Sequence, residues 1–242
     1  MTRLAAMISL GILMLLGGCA GWFDGPLSTL QPAGPAAHSA ALLWWGMFLF
    51  ATLVLIAVTA LWIIALRRDP GEVSDADAQR QQNRWIWGGG LALPLGSITV
   101  LLAFGIPMGH SMLPLPAEDR VEIEVTGYQW GWRVEYPEQG IELQNEVVIP
   151  SETAVDIILR SEDVIHSFWV PRLAGKTDLI PGHTNTLRLV ADEPGTYHGV
   201  CAEFCGVGHA HMQFTAEALS PDDYATWLSE QAAQQDEGET DD

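Results

Sequence analysis

Cys201-Ala202-Glu203-Phe204-Cys205-Gly206-Val207-Gly208-His209-Ala210-His211-Met212 puts two thiols, imidazoles and a thioether within one short stretch. β-rich residues flank it, at 196–200 and 212–215. The stretch therefore reads as a loop between two strands, with Cys201 and Cys205 spaced so that glycines can fold both sulfurs toward one point. Soft sulfur donors with imidazole select copper or zinc over hard cations. Met212 discriminates between them, being a poor zinc donor but a familiar weak ligand to copper in β-sandwich electron-transfer proteins. Upstream, Asp163-Val164-Ile165-His166-Ser167-Phe168 offers a second imidazole from a distant strand. Taken singly, each residue has an ordinary explanation. A cysteine pair outside the cytoplasm can be a disulfide, a histidine in an apolar strand can be structural, and a methionine can fill a core. The conjunction argues for a metal centre.

The surrounding sequence is that of a β domain, spanning residues 117–220. Val121-Glu122-Ile123-Glu124-Val125 alternates apolar and charged residues with the period of a half-buried strand. Further β-rich runs lie at 146–149, 154–159, 165–170 and 186–190. Pro150-Ser151, Pro181-Gly182 and Glu193-Pro194-Gly195 separate them. Many short strands at this spacing predict a sandwich or small barrel. Residues 221–235 read as an amphipathic helix with Ser220 as its N-cap, followed by an acidic tail expected to be disordered; helix and tail together span 221–242.

Before residue 117 the chain is of another kind. Two apolar runs, 41–66 and 85–106, are each long enough to cross a bilayer. Trp44, Trp45, Trp62, Trp85 and Trp87 lie near their ends, as interfacial residues do. The loop 67–84 between them carries Arg67, Arg68, Arg80 and Arg84, which assigns it to the cytoplasm and the β domain to the outside. Residues 1–18 read as an export signal ending in Leu16-Gly17-Gly18-Cys19. Small residues before a cysteine suggest a lipoprotein cleavage site, the alternative being an ordinary signal peptide with an incidental cysteine. Residues 19–40, rich in Gly, Pro and Ser from residue 22, read as a linker.

Charge follows the same division. Residues 117–242 hold 25 acids and 6 bases, so the whole net charge of −19 sits there. Such a surface repels nucleic acid and favours basic protein partners.

Cys-x-Glu-x-Cys-Gly-x-x-His-x-x-Met, preceded by Asp-Val-x-His-Ser-Phe, resembles the copper A motif of cytochrome c oxidase subunit II. Gly127-Tyr128-Gln129-Trp130-Gly131-Trp132, Val170-Pro171 and Lys176-Thr177-Asp178-x-Ile180-Pro181-Gly182 resemble other segments of that family. The resemblance spans nearly all of residues 40–230. It implies a two-helix transmembrane hairpin, a cupredoxin-like all-β sandwich and a short C-terminal helix. It further implies two copper ions bridged by Cys201 and Cys205, with His166 and Met212 completing one ion. His209 and the main-chain carbonyl of Glu203 would complete the other. The Glu203 side chain would be available to a magnesium ion shared with subunit I, and Trp130 would be the point where electrons enter. The implied partners are oxidase subunits I and III, cytochrome c and membrane lipid. The chain would carry electrons while subunit I reduces oxygen to water with proton translocation. The implied location is the bacterial inner membrane, with the copper domain on the periplasmic side.

Some features depart from the family. Gln81, Gln82, Asn83 and Arg84 stand where an acid tied to proton uptake is often found, and Cys-x-x-Cys-His of a fused cytochrome is absent. His183, His198 and His211 receive no ligand role. Three other readings compete. A quinol oxidase subunit II shares the hairpin and sandwich but lacks the copper ligands. A copper-delivery lipoprotein would need neither Met212, two spans nor the Trp130 segment. A stand-alone anchored cupredoxin shuttle would purify without haem.

Overall fold

The structure, a computed structural model, describes residues 25–69, 71, 73–116 and 120–239. The export signal and Cys19 lie outside the described residues. The chain divides into two units, residues 42–112 and the remainder.

Within 42–112 the architecture is helical. Helix α1 runs Pro35–Arg67, reaching back into the other unit, and α2 runs Asp75–Trp85. A π-helical stretch, Ile86–Ala92, joins α2 to α3, Leu93–Ser111. Ser74 caps α2 by accepting the Asp77 N–H. The expected cytoplasmic loop is thus largely helical, its polar residues forming α2 ahead of the apolar run. The π stretch contains Gly88-Gly89-Gly90 and ends where Leu93 N–H reaches the Gly88 carbonyl. Pro94 follows; it cannot donate to the carbonyl four residues back and crowds it. A widened turn is one way a membrane helix accommodates that defect. Both long helical segments have the length and composition to cross a membrane, and their apolar side chains are largely exposed. A soluble core hairpin would bury those side chains. The protein is membrane-anchored.

The second unit is a β-sandwich. Strands β1 (Val121–Tyr128), β2 (Gly131–Tyr136), β3 (Ile141–Gln144), β5 (Val155–Ser161) and β8 (Asn185–Leu189) form one sheet, in the order β3-β2-β1-β5-β8. Strands β4 (Glu146–Pro150), β6 (His166–Trp169), β7 (Thr177–Leu179), β9 (Gly195–Cys201) and β10 (Gln213–Leu219) form the other, in the order β4-β10-β9-β6-β7. The β1–β5 and β4–β10 pairs are parallel and the remaining neighbours antiparallel. Alternation in β1 sends Ile123 and Val125 into the core, while Glu124 pairs with Arg160 at the far end of β5. The chain changes sheets at Asn145, whose left-handed backbone (φ 58°) suits asparagine and whose side chain accepts the Trp132 N–H. Tyr136 spans the two layers: its hydroxyl accepts from Val148 N–H and donates to the Val148 carbonyl.

Two segments differ from expectation. Residues 25–40, the described part of the expected linker, are packed on the sandwich instead of running free, and so is Ala41 at the start of the first apolar run. Ala33 N–H donates to the Arg172 carbonyl, Asp192 N–H donates to the Ala33 carbonyl, and Ala37 and Ala41 are buried. At the other end, helix α4 spans Pro221–Glu239, so residues 236–239 of the expected disordered tail are helical. Ser220 caps it through the Asp223 N–H, and two acids in its first turn favour the start. Tyr224 is buried where this helix lies, and Trp227 meets Tyr136.

The core beneath the loop end is aromatic. Trp132 meets Phe168 and Phe214 edge-on, and those two rings stack 4.3 Å apart. Phe214 fits only because residue 199 has no side chain: a Cβ there would lie 2.1 Å from the ring. Gly199→Ala is therefore expected to cost about 1–3 kcal/mol by overpacking. The thermal unfolding midpoint of the full chain measures this, and an unchanged midpoint contradicts the packing.

Candidate metal centre

Strands β6 and β9 carry the first donors to the same end of the sandwich. They pair antiparallel with Phe168 opposite Cys201, which leaves His166 at the start of β6 near Cys201 at the end of β9. After Cys201 the chain makes a tight excursion and returns. Ala202 N–H donates to the Ser167 carbonyl, and Cys201 N–H donates to the Met212 carbonyl at 2.9 Å. Main-chain bonds thus tie the two ends of the loop together and anchor its start to β6. Gly206 has φ +123°, a conformation that favours glycine, and His209 N–H reaches back to its carbonyl. A short 3-10 turn, His209–His211, then delivers Met212 to the start of β10.

The donors converge. The sulfurs of Cys201 and Cys205 are 3.8 Å apart. His166 Nδ1 lies 4.0 Å from the Cys201 sulfur, and His209 Nδ1 lies 3.7 Å from that of Cys205. Met212 Sδ is 3.6 Å from the Cys205 sulfur, and the Glu203 carbonyl oxygen 3.2 Å from that of Cys201. His166, Cys201, Cys205 and Met212 are buried. The nearest donor atoms of His166, Cys201 and Cys205 all lie within 4.8 Å of one another. Among the described residues this three-residue group does not include His209, which reaches the Cys205 sulfur.

Electrostatics divide the two thiols. Burial alone would push Cys201 up, but hydrogen bonding to His166 and to the backbone at Glu203 and Ser167 brings it down to about 6. Burial, then the neighbouring Cys201, push Cys205 up to about 11. Burial disfavours the charged form of His166, yet Cys201 and Asp163 hold it above its ordinary value. One thiolate forms easily and opposes the second; a bound cation removes that opposition.

Trp130 stands at the rim, 41% exposed, with its indole N–H on the Cys205 carbonyl at 3.3 Å. The same carbonyl accepts from Gln129 Nε2 at 2.7 Å. The indole lies so close to the ligand loop that a Cβ at Gly208 would meet it at 2.4 Å. Around this end Val164, Ile165, Phe204 and Val207 are exposed, Val207 at 92%. The Glu203 carboxylate faces Lys176 Nζ at 3.9 Å. Sequence reasoning missed two contributors, Asp163 and Gln129. Asp163 opens the motif that holds His166, but only the fold brings Gln129 to it.

A model of the periplasmic domain of cytochrome c oxidase subunit II matches residues 138–219. The chain is 36% identical over 236 residues to cytochrome c oxidase subunit 2 of Alkalihalophilus pseudofirmus, across 93% of this chain and 67% of that one. The chain belongs to the cytochrome c oxidase subunit II family. Quinol oxidase subunit 2 of Bacillus cereus is 32% identical over 237 residues, across 94% of this chain and 79% of its own length. The periplasmic domain of subunit II of the Bradyrhizobium japonicum cytochrome oxidase aligns at 28% identity with a TM-score of 0.46, covering 49% of this chain and 97% of that one.

As a member of the subunit II family, the chain presents a donor set that suits copper. Two thiols, two imidazoles and a thioether are soft or borderline donors, and the Asp163 carboxylate is engaged with His166. The close sulfurs also make a redox-sensitive pair. In the metal-free chain, diamide should remove two titratable thiols, counted with a chromogenic disulfide reagent. The oxidised chain should take up no copper until dithiothreitol restores both, because metal binding needs the two thiolates. Metallation at the unoxidised rate after those thiols are lost contradicts this.

Proposed function

We propose that the chain is subunit II of a cytochrome c oxidase, taking electrons from cytochrome c at a centre of two copper ions and passing them to the haem of subunit I. The observation that carries this reading is the convergence of two thiols, two imidazoles and a thioether at one end of the sandwich. Cys201 and Cys205 would serve both ions, His166 and Met212 would complete one, and His209 with the Glu203 carbonyl the other. Bound there, copper supplies a one-electron couple. The residues of the chain hold the donors still: the ligand loop is closed by main-chain bonds from Cys201 and Ala202, and His166 and the three sulfurs are packed in the core end of the sandwich, with His209 half-buried at its edge. Donors that cannot rearrange keep the reorganisation cost of electron transfer low.

Trp130 would be the entry point. It combines exposure with a direct hydrogen bond to the main chain of a ligand, Cys205. The acidic domain would draw in a basic donor protein, and exposed Val164, Ile165 and Val207 supply apolar contact at the same end. Magnesium at Glu203 would find one carboxylate, with Lys176 beside it; its further oxygen ligands would come from subunit I. Arg67, Arg68, Arg80 and Arg84 favour a cytoplasmic side for the segment between the spans, and the copper domain would then lie on the periplasmic face of a bacterial inner membrane. A quinol donor is the second reading, carried by the Bacillus cereus relative. The complete donor set favours cytochrome c, since quinol oxidation has no use for it.

Metal analysis of the purified full chain tests the reading: two coppers per wild-type chain, and loss of the pair in Cys205→Ser, because a hydroxyl is not an anionic bridge at neutral pH. Met212→Leu should retain both ions and cost under about 1.5 kcal/mol, as a volume-conserving change. One copper per wild-type chain, or tightly bound zinc, would sink the proposal.

Electron entry gives a separate test. Cytochrome c oxidation should weaken with salt, since the Debye length falls from about 10 Å at 0.1 M to about 3 Å at 1 M. Trp130→Ala should slow entry far more than it weakens donor binding. Turnover indifferent to salt, with Trp130→Ala behaving as wild type, removes both the donor and the entry residue.

A further inference from the structure

Asp163 lies in the loop between β5 and β6, and its carboxylate makes contacts to two functional segments at once. Oδ1 is 2.8 Å from His166 Nε2. Oδ2 accepts the backbone N–H of Gln129 at 2.8 Å. A carboxylate can only accept here, so His166 Nε2 carries a proton, and Nδ1, the nitrogen facing the Cys201 sulfur, is the one whose lone pair a metal would take, displacing any proton it holds. Gln129 in turn precedes Trp130, and both donate side-chain N–H bonds to the Cys205 carbonyl. The contacts form a closed circuit: His166 to Asp163, Asp163 to Gln129, Gln129 and Trp130 to Cys205, and Cys205 sulfur to Cys201 sulfur beside His166.

We propose that Asp163 is a positioning residue which fixes the ring orientation and tautomer of His166 and, through the Gln129 N–H, holds the Trp130 segment in register with the metal ligands. This rests on the reading of the site as a copper centre. Side chains behind metal-bound imidazoles commonly act in this way, and their loss costs about 10- to 100-fold in metal affinity or activity. The bland alternative is that Asp163 only shapes its own loop, since Oδ1 also accepts the Val164 N–H at 2.6 Å and the Asp163 N–H meets Ser161 Oγ. A loop-shaping role would change stability while leaving the environment of the His166 Nε2 proton as it is.

The test uses the full copper-loaded chain as wild type, Asp163→Ala and Asp163→Asn. Pulsed electron-spin resonance reads the quadrupole coupling of the imidazole nitrogens remote from copper, and a copper(I) chelator reads metal release from the reduced protein. Asp163→Ala should alter the coupling of one of the two remote nitrogens and release copper about 10- to 100-fold faster. Asp163→Asn keeps one oxygen acceptor and cannot serve both donors, so it should fall between; should Asp163→Ala not accumulate, Asp163→Asn decides alone. Wild-type coupling and wild-type release in every variant that accumulates overturn the inference while leaving the copper centre intact. A wild-type chain without a two-copper signal overturns the reading of the site, and this inference with it.

Discussion

Two sulfur atoms held 3.8 Å apart at the buried end of a sandwich impose a charge problem that the surrounding structure answers. Ionising one of them is easy, because His166 and nearby backbone groups favour the Cys201 thiolate. Ionising the second is hard, because burial and the first thiolate oppose it. Metal binding needs both. The pair is therefore a site that cations stabilise strongly and that invites oxidation without them. Each neighbouring feature has meaning against that constraint: two imidazoles present Nδ1 to the sulfurs, a thioether closes one side, and a main-chain carbonyl lies beside Cys201.

The sandwich converts this into a rigid arrangement. Donors come from β6, from β9 and from the loop before β10, three places that only the pairing of these strands brings together. Beneath them the Trp132–Phe168–Phe214 cluster fills the space with rings that leave no room for a methyl group at residue 199. Rigidity at this end is therefore a packing property. At the rim, the same loop supports Trp130 through the Cys205 carbonyl, so the exposed indole and the buried sulfurs share one piece of backbone.

Much of this was legible in the sequence, for identifiable reasons. The four donors between Cys201 and Met212 are local, and the alternation in 121–125 fixes which face of β1 is buried. Strands β2, β3 and β7 were not foreseen. β2 sits in and just after the aromatic segment that reads first as a motif, and β7 is three residues long, owing its conformation to its pairing with β6. Residues 25–40 read as part of a linker because their contacts to the sandwich run largely through main-chain groups, as at Ala33, which leave no side-chain pattern. The helical character of 75–85 was hidden by its polarity, since every side chain in it is exposed. The link from Asp163 to Gln129 joins residues far apart in the chain, and no spacing rule announces it.

The central claim is that both thiolates serve two metal ions as a single unit. A continuous-wave electron-spin resonance spectrum of the oxidised, copper-loaded full chain examines it most directly. The account predicts one unpaired electron whose hyperfine pattern arises from two equivalent copper nuclei. A pattern from a single copper nucleus, in a chain that retains both thiols, would contradict it.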